Sequence, residues 1–251
     1  MRCNIFKPFE KELFYIFTDR YQGVSPPPYD TLNLAHHVGD DIKNVMKNRM
    51  LISRKYGIDL RDLIYMDQIH SSNIALIDNS MQTKIPDTDA LITNEKGIYL
   101  MVLVADCIPI LFFDPVKKAV GAAHAGRAGT FQNISEKTVK KMKESFKSNP
   151  EDIIACLGPS IRECCYEVSK EIADITVKNF GEKYIKKRDG GYYLNLQELN
   201  KDQLLKAGLK EENIEISKEC TRCEKKYFSY RREGVTGRFA AIISLKKEQD
   251  V

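Results

Sequence analysis

The spacing of apolar residues changes along the chain, and this change predicts where strands and helices lie. Between residues 85 and 123 the apolar residues form short continuous runs, of which residues 98–105 are the longest. Such runs are typical of strands buried on both faces, and residues 110–113 and 119–123 repeat the pattern. Further strands are predicted over residues 153–157, 214–216 and 239–245.

Between these runs the apolar residues recur at helical spacing. Asp40-Asp41 can cap a first helix that extends to about Tyr56 and stops at Gly57. Its inward residues are predicted to be Ile42, Val45, Met46 and Ile52. Apolar residues at helical spacing predict further helices over residues 130–148, 167–180 and 196–207. Strands and helices alternate without a strict βαβ rhythm, which favours an α+β fold over a doubly wound sheet.

Composition narrows the class of protein. The 251 residues are 43% hydrophobic and 29% charged, which is typical of a globular domain, and we expect one domain over residues 1–251. A net charge of +4 is too small to argue for nucleic acid but suits a small anionic substrate. No apolar segment has the length of a membrane span or signal peptide. With seven cysteines, an odd number, we expect a cytoplasmic protein with reduced thiols.

Three residues suggest a metal centre. Cys107 follows the long apolar strand, His124 follows a strand of small residues, and His70 follows another short apolar stretch. Two imidazoles and one thiolate suit zinc. Three protein ligands leave a coordination position for a water, whose pKa zinc lowers to roughly 7. The sequence therefore favours a catalytic rather than a structural ion.

The same residues allow other interpretations. The histidines could be hydrogen-bonded structural residues and Cys107 a small buried side chain. Alternatively, Cys107 could be the nucleophile of a metal-free hydrolase, with His124 as its base and Asp106 orienting the imidazole. A non-enzymatic zinc protein would need a fourth ligand, for which Cys165 is the candidate.

Other segments carry weaker signals. Cys220 and Cys223 have metal-ligand spacing, and Cys164-Cys165 could supply partners, but a vicinal pair is poor zinc-ligand geometry, so we expect buried or free thiols. Arg127 lies in a glycine-containing loop that could accept a phosphate. The segment 227–234 combines aromatic residues with paired arginines, which could hold a base or an anion.

Taken together, these segments resemble the YfiH-like family, which was long called multicopper polyphenol oxidase or laccase-like and is described as purine nucleoside phosphorylases. The resemblance runs through most of the chain in one order. Its elements are Thr18-Asp19-Arg20, Leu32 to Asp40, Gln68-Ile69-His70, Thr88-Asp89-Ala90, Ala105-Asp106-Cys107, Ala123-His124-Ala125-Gly126, Gly158-Pro159-Ser160-Ile161, Cys165-Tyr166-Glu167-Val168, Phe228 to Arg232 and Thr236-Gly237-Arg238. One departure is Arg127-Ala128, where the family commonly has tryptophan followed by a basic residue.

The resemblance implies a single domain of mixed sheets in α/β/β/α layers and one zinc ion per chain, held by His70, Cys107 and His124. It implies phosphorolysis of adenosine, inosine, guanosine and methylthioadenosine, with inorganic phosphate as co-substrate and adenosine deaminase as a side activity. We assign catalytic roles to Cys107, His124 and Asp106. Gln68 is a candidate for positioning the substrate, and the other candidate substrate contacts are Arg20, Asn33, Arg127, Arg162 and Arg231.

The resemblance also brings in two other activities. Some relatives act on cell-wall precursors, which leaves a hydrolase of that kind as an alternative. A copper oxidase consumes many imidazoles, and four histidines are too few for one. We expect partners to be small molecules rather than nucleic acid or membrane, and the protein to be a monomer or weak homodimer.

Overall fold

Strands and helices alternate irregularly in residues 3–78 and 82–247, the part of the chain that this computed structural model describes. The helices are α1 (Ile42–Tyr56), α2 (Arg127–Phe131), α3 (Ile134–Phe146), α4 (Lys170–Phe180), α5 (Leu196–Lys206) and α6 (Tyr230–Glu233). The strands are β1 (Leu13–Phe17), β2 (Leu63–Met66), β3 (Ile74–Leu76), β4 (Lys84–Ile85), β5 (Ala90–Thr93), β6 (Tyr99–Val104), β7 (Ile108–Asp114), β8 (Ala119–Ala125), β9 (Ile154–Leu157), β10 (Glu167–Val168), β11 (Ile185–Arg188), β12 (Gly191–Leu194), β13 (Ile214–Ile216) and β14 (Phe239–Leu245). Short 3-10 helices cover Asn4–Phe9, Pro150–Asp152, Glu182–Tyr184 and Glu211–Asn213.

Two mixed sheets form the centre of the molecule. The first has the order β1-β14-β6-β2-β4, and the second has the order β13-β9-β7-β8-β5-β3. In the first sheet β14 is antiparallel to β6, whereas β2 is parallel to β6. In the second sheet β7 is antiparallel to both β8 and β9, whereas β13 is parallel to β9. A small third sheet, β10-β12-β11, lies outside these two.

The hydrophobic core explains why the central strands are apolar on both faces. Val102 of β6 and Leu111 of β7 share the cluster that fills the space between the two large sheets. The next residue on each strand points the other way: Leu103 packs in the cluster that includes Ile52 of α1, and Phe112 in the cluster that includes Val139 of α3. Helices therefore cover both outer faces, and the predicted α+β fold in α/β/β/α layers is confirmed.

The first helix follows its prediction in length but not in its buried face. Asp41 accepts a hydrogen bond from the backbone of Lys43, and Gly57 ends the helix with a φ of 68°. The prediction that Ile42 and Met46 face inward is wrong, since they are 64% and 41% exposed. Two buried polar residues, Asn48 and Arg49, share the inner face with the predicted apolar ones.

Those polar residues are buried because they bind a loop. Asn48 donates hydrogen bonds to the carbonyls of Thr31 and Asn33, and Arg49 donates to the carbonyl of Leu34. The loop lies under α1 and has no strand partner for these carbonyls, so helix side chains satisfy them. A pattern of apolar residues alone gives no sign of this arrangement.

Two further predicted helices are divided in the structure. The predicted helix over residues 130–148 is replaced by α2 and α3, because Asn133 between them takes a left-handed φ of 61°. Asparagine adopts this conformation more readily than most residues. The predicted helix over residues 167–180 begins later, since Glu167–Val168 forms β10 and Ser169 caps α4 by accepting a hydrogen bond from Ile172.

The cysteines differ from the expectation in one pair. Cys3 and Cys156, both fully buried, are joined by a disulfide, so the prediction of reduced thiols is wrong for these two. The bond ties the N-terminal 3-10 helix to β9. The other five cysteines are free.

Among the helices of the described residues, none has both the length and the apolar character needed to cross a bilayer.

Candidate metal centre and adjoining cavity

Two paired strands and a turn bring the predicted metal ligands together. Cys107 lies immediately before β7, and His124 is the sixth residue of β8, so the antiparallel pairing of Pro109 with His124 places them side by side. His70 reaches them from the turn between β2 and β3. The two histidine rings are 4.8 Å apart between centroids, and Cys107 Sγ is 3.9 Å from His70 Nε2. One nitrogen or sulfur atom from each residue lies within 4.8 Å of the others.

Asp89 orients this cluster. It precedes β5, is fully buried, and its Oδ1 lies 2.8 Å from His124 Nδ1. The same oxygen accepts a hydrogen bond from the backbone N–H of His70, while Oδ2 accepts from the backbone N–H groups of Ile69 and Ser71 and from the Ser71 hydroxyl. One carboxylate thus fixes the His124 ring and the turn that carries His70, which is a common arrangement behind metal-binding histidines.

This contact corrects one sequence-based expectation. Asp106 was expected to orient His124, but its Oδ1 accepts a hydrogen bond from the hydroxyl of Thr221, and its Oδ2 accepts one from the backbone of Arg231. The reason is local backbone geometry: Asp106 has a φ of 92° at the turn between β6 and β7, and its side chain points toward Thr221 and Arg231. Asp106 therefore joins the Cys107 turn to α6.

Two residues of the site hold unfavourable backbone conformations. His70 has a φ of 60° and Asp106 a φ of 92°, and such left-handed conformations cost roughly 1–3 kcal/mol each for a residue other than glycine. Hydrogen bonds hold both turns: Asp89 accepts from the His70 N–H, and the Asp106 carbonyl accepts from the N–H of Ile161. Strain maintained in this way is common where side chains must be aimed at one point.

The electrostatics of the cluster favour an ionised sulfur. Burial opposes ionisation of Cys107, but the charge of His124 and its hydrogen bond, with that of His70, lower the pKa of the thiol to about 6. Burial likewise opposes protonation of His124, yet the Cys107 thiolate and the Asp89 carboxylate raise the pKa of the imidazole to about 9. At neutral pH the metal-free cluster is a thiolate–imidazolium pair.

The residues present fit a zinc ion. Two imidazoles and a thiolate form a donor set that zinc accepts, and Asp89 on Nδ1 of His124 leaves Nε2 for a metal. Gly126 makes room beside the ligands, because a Cβ there would lie 2.9 Å from Cδ2 of His70 and 3.0 Å from the sulfur of Cys107. Cys165, the candidate fourth ligand, lies elsewhere, with its sulfur 3.3 Å from that of Cys223.

A cavity of about 320 Å³ opens onto the cluster, within the usual range of roughly 300–1,000 Å³ for small-molecule sites. The predicted site residues that line it are Gln68, His70, Asp106, Cys107, His124, Arg127 and Arg231. Residues without a predicted role also line it: His37, Tyr166, Tyr230 and Arg238 contribute polar or aromatic groups, and Leu103, Ile161 and Leu196 contribute apolar ones.

Three predicted substrate contacts do not line this cavity. Arg20 is buried, where it pairs with Asp30 and Glu233. Asn33 accepts a hydrogen bond from the backbone N–H of Arg238, and Arg162 donates to the carbonyl of Ser217. Each is engaged with its own chain, and each supports a segment next to the cavity.

Some residues of the site without a predicted role have a signal in the sequence. Asp89, behind His124, and the cavity residues Tyr166 and Arg238 lie within segments that resemble the YfiH-like family, but their spacing gives no reason to assign them a function. His124 and Asp89 are 35 residues apart, and only the pairing of β5 with β8 brings them together. Tyr230, 61% exposed, lies both in the aromatic and basic segment 227–234 and in a segment that resembles the family.

Comparison with known proteins agrees with this geometry. The sequence profile of the multi-copper polyphenol oxidoreductase laccase family matches residues 14–246. The chain is 36% identical over 253 residues to the purine nucleoside phosphorylase YlmD of Bacillus subtilis, which covers 94% of this chain and 90% of the relative. It is also 36% identical over 244 residues to a purine nucleoside phosphorylase of Corynebacterium glutamicum, covering 96% of this chain and 98% of that one.

Solved structures agree as well. The crystal structure of YlmD from Geobacillus stearothermophilus superposes with a TM-score of 0.91 at 32% identity, covering 98% of this chain and 94% of that one. A hypothetical protein YfiH from Bacillus licheniformis gives a TM-score of 0.89 at 35% identity, with 93% of each chain covered. On these matches the chain belongs to the multi-copper polyphenol oxidoreductase laccase family, whose members include YfiH and YlmD.

Proposed function

We propose that this protein is a zinc-dependent purine nucleoside phosphorylase that acts on adenosine, inosine, guanosine and methylthioadenosine, with adenosine deamination as a second activity. The observation that carries the proposal is a single cavity in which a zinc-compatible cluster faces three arginines, Arg127, Arg231 and Arg238. The names of the relatives agree with a reaction that needs both a nucleoside and phosphate.

The arginines make the cavity suitable for phosphate. Among the described residues that line it, Asp106 is the one carboxylate, and Thr221 and the backbone of Arg231 already bind its oxygens. Arg231 donates one hydrogen bond to the carbonyl of Glu167, and Arg238 donates to the carbonyls of Thr236 and Gly237. A guanidinium has five N–H donors, so both keep donors for an anion.

Aromatic residues suit the purine. The rings of Tyr166 and Tyr230 line the cavity and can pack against a flat base, and Leu103 adds apolar surface. Arg231 lies 5.3 Å from the centroid of the Tyr166 ring, so this aromatic surface adjoins the positive one. Gln68 contributes through position, since its amide exchanges two hydrogen bonds with the backbone of Leu103 and fixes the segment before His70.

In the reaction, a phosphate oxygen attacks the ribose C1′ and the bond from C1′ to the purine nitrogen breaks. The bonding electron pair leaves with the purine, whose nitrogen takes up the proton that the phosphate loses, and the products are ribose 1-phosphate (methylthioribose 1-phosphate from methylthioadenosine) and the free base. The arginines hold the phosphate, and Asp106 positions Arg231. Asp89 keeps the proton of His124 on Nδ1. A zinc ion held by His70, Cys107 and His124 would act as a Lewis acid and lower the pKa of a bound water.

A metal-free cysteine hydrolase is the second candidate. The observation that favours it is that Cys107 lies beside His124 and that Asp89 binds Nδ1 of His124. This is the arrangement of a nucleophile, a base and a carboxylate that orients the base. The lowered pKa of Cys107 suits a nucleophile as well as a metal ligand. Alkylation of Cys107 by iodoacetamide in zinc-loaded protein would favour the hydrolase, whereas protection by zinc supports the metal site.

The residues do not fit the copper chemistry in the family description. The chain has four histidines, and two of them, His70 and His124, are in the cluster with Cys107. His36 and His37 are adjacent in sequence, but His36 lines a separate small cavity with Arg49. Several copper ions need more imidazoles than this arrangement offers.

The test is chromatography of products from inosine and adenosine, each with and without inorganic phosphate. Phosphorolysis predicts hypoxanthine and ribose 1-phosphate from inosine only when phosphate is present. Inosine formed from adenosine without phosphate reports deamination. The variant Cys107→Ala is expected to lose the zinc ion beside the cavity and both activities while keeping its melting temperature close to that of the wild type. Full activity in Cys107→Ala without zinc at that site would overturn the proposal.

A further inference from the structure

Four free cysteines, distant in the sequence, meet at one point outside the cavity. Cys164 and Cys165 lie after β9, in the turn before β10, and Cys220 and Cys223 lie in the turn after β13. The Cys223 sulfur is 3.3 Å from that of Cys165 and 3.9 Å from that of Cys164. All four sulfurs lie within 4.8 Å of one another. We refer to these four residues as the cysteine cluster.

The spacing of these sulfurs matches the coordination shell of one metal ion. Four sulfurs at about 2.3 Å from a zinc ion, arranged as a tetrahedron, are about 3.8 Å apart. An iron–sulfur cluster spreads its ligands over more than one iron, so its sulfurs would be more widely separated. A vicinal pair was expected to be poor ligand geometry, but the turn that contains Cys164 and Cys165 directs both sulfurs toward Cys223.

The surroundings of the cysteine cluster suit a negatively charged metal–thiolate group. The backbone N–H groups of Arg162, Cys223 and Arg222 hydrogen-bond the sulfur of Cys220. The Arg222 side chain hydrogen-bonds the sulfur of Cys165. Backbone and side-chain donors of this kind stabilise metal-bound thiolates.

We propose that the cysteine cluster is a second metal site, which binds one zinc ion through four thiolates and has no open position for a substrate. Four protein ligands close the coordination sphere, as in structural zinc sites, whereas the three ligands beside the cavity leave it open. The protein would then hold two zinc ions per chain with different tasks, instead of the single ion that the family resemblance implies.

The position of the cysteine cluster indicates what the second ion does. Thr221, inside the Cys220–Cys223 turn, donates its hydroxyl to Asp106 and its backbone N–H to the carbonyl of Ser160. Arg232 of α6 donates to the carbonyl of Thr221. The cysteine cluster thus joins the loop that carries the cavity residues Ile161 and Tyr166 to the turn that binds Asp106 and Arg232, and an ion there would fix both segments without touching substrate.

The experiment separates this ion from the one at His70, Cys107 and His124. Full-length protein is expressed with added zinc, purified under reducing conditions, and analysed for metal. We expect two zinc ions per chain in the wild type and one in Cys107→Ala, where X-ray absorption should show a shell of sulfur ligands without imidazole. Adding Cys223→Ser in the Cys107→Ala background should remove the remaining zinc or weaken its binding at least tenfold. Cys223 is exposed, so this change disturbs no packing.

A second measurement covers the case in which the double variant folds poorly. Removing zinc from Cys107→Ala with a chelator should lower its melting temperature, and adding zinc back should restore it. Cys107→Ala protein that binds no zinc, or binds it through nitrogen ligands, would overturn the inference. A disulfide between Cys165 and Cys223 in protein purified under reductant would also overturn it. Neither result bears on phosphorolysis, which is assayed separately in the wild type.

Discussion

Replacing Asp89 with asparagine tests whether one carboxylate prepares the metal ligands. Asparagine keeps one oxygen and turns the other into an NH₂ group, which donates hydrogen bonds. Placed at Oδ2, the NH₂ group would displace three donors, two from Ser71 and one from Ile69. At Oδ1 it would displace only two, the His70 N–H and His124 Nδ1. The second orientation therefore costs less.

Even that orientation disturbs both histidines. The His70 N–H loses its acceptor in a turn that already has a left-handed backbone. His124 can face the new NH₂ group only by accepting a hydrogen bond at Nδ1, which places its proton on Nε2, the atom a metal needs. A buried group left without its partner costs roughly 1–3 kcal/mol, so the unpaired His70 N–H predicts about 1–3 kcal/mol of destabilisation.

For zinc, loss of such a carboxylate typically weakens binding 10- to 100-fold, and we expect Asp89→Asn to fall in this range. Zinc affinity is measured by competition with a chelator, and stability by denaturant unfolding of metal-free protein. Asp114→Asn is the matched control. Asp114 is equally buried, but its Oδ1 accepts hydrogen bonds from the backbone N–H groups of Val116 and Lys117, and its Oδ2 has no partner among the described residues. Asparagine can keep both bonds there, so stability should change by less than about 1 kcal/mol.

The two variants together test the role of Asp89. Wild-type zinc affinity in a destabilised Asp89→Asn protein would refute the role of Asp89 behind the ligands and leave it a purely structural residue. Equal effects of Asp89→Asn and Asp114→Asn would refute the hydrogen-bond reasoning itself.

Three further changes test other parts of the site. Gly126→Ala places a Cβ 2.9 Å from the ring of His70, so zinc affinity should fall at least tenfold with little change in the melting temperature; unchanged affinity in a chelator competition would contradict the fit. Arg127→Met should raise the phosphate KM by roughly tenfold, as expected for one lost charged hydrogen bond. Arg61→Met, at an exposed arginine away from the cavity, should leave this KM unchanged, and initial rates against phosphate concentration measure both variants. Burial lowers the pKa of His36 to about 4, so the unfolded chain binds more protons between about pH 6.5 and 4 and His36 makes the protein less stable as the pH falls through that window. In His36→Gln this loss, about 1 kcal/mol after allowance for partial exposure, should disappear from urea unfolding curves recorded across the window.

Sequence patterns predicted four strands of the second large sheet, β7, β8, β9 and β13, and the ends of α1, because apolar runs and caps are local signals. The strands over residues 214–216 and 239–245 have the predicted bounds. Asn133 shows where local signals fail: its left-handed backbone divides a predicted helix in two, and a helical apolar pattern continues across it. The burial of Asn48 and Arg49 depended on a distant loop and had no local signal at all.

The site shows the same division between local and distant information. His70, Cys107 and His124 each follow a short apolar stretch, so the sequence could suggest them as ligands, and the fold brings them together. The partner of His124 could not be predicted in this way. Asp106 was the nearer candidate in sequence, but Asp89 holds that position because β5 pairs with β8.

The two groups of cysteine-containing ligands differ in what surrounds them, and this difference argues for their separate tasks. Cys107 lies between two histidines at the floor of a cavity, where three ligands leave space for a substrate. The cysteine cluster contributes four sulfurs and no residue that lines that cavity. Asp106 connects the two, since it precedes Cys107 and binds Thr221 within the Cys220–Cys223 turn. A cysteine count could not separate these roles, because whether a thiolate serves chemistry or structure depends on how many other ligands the fold brings to the same ion.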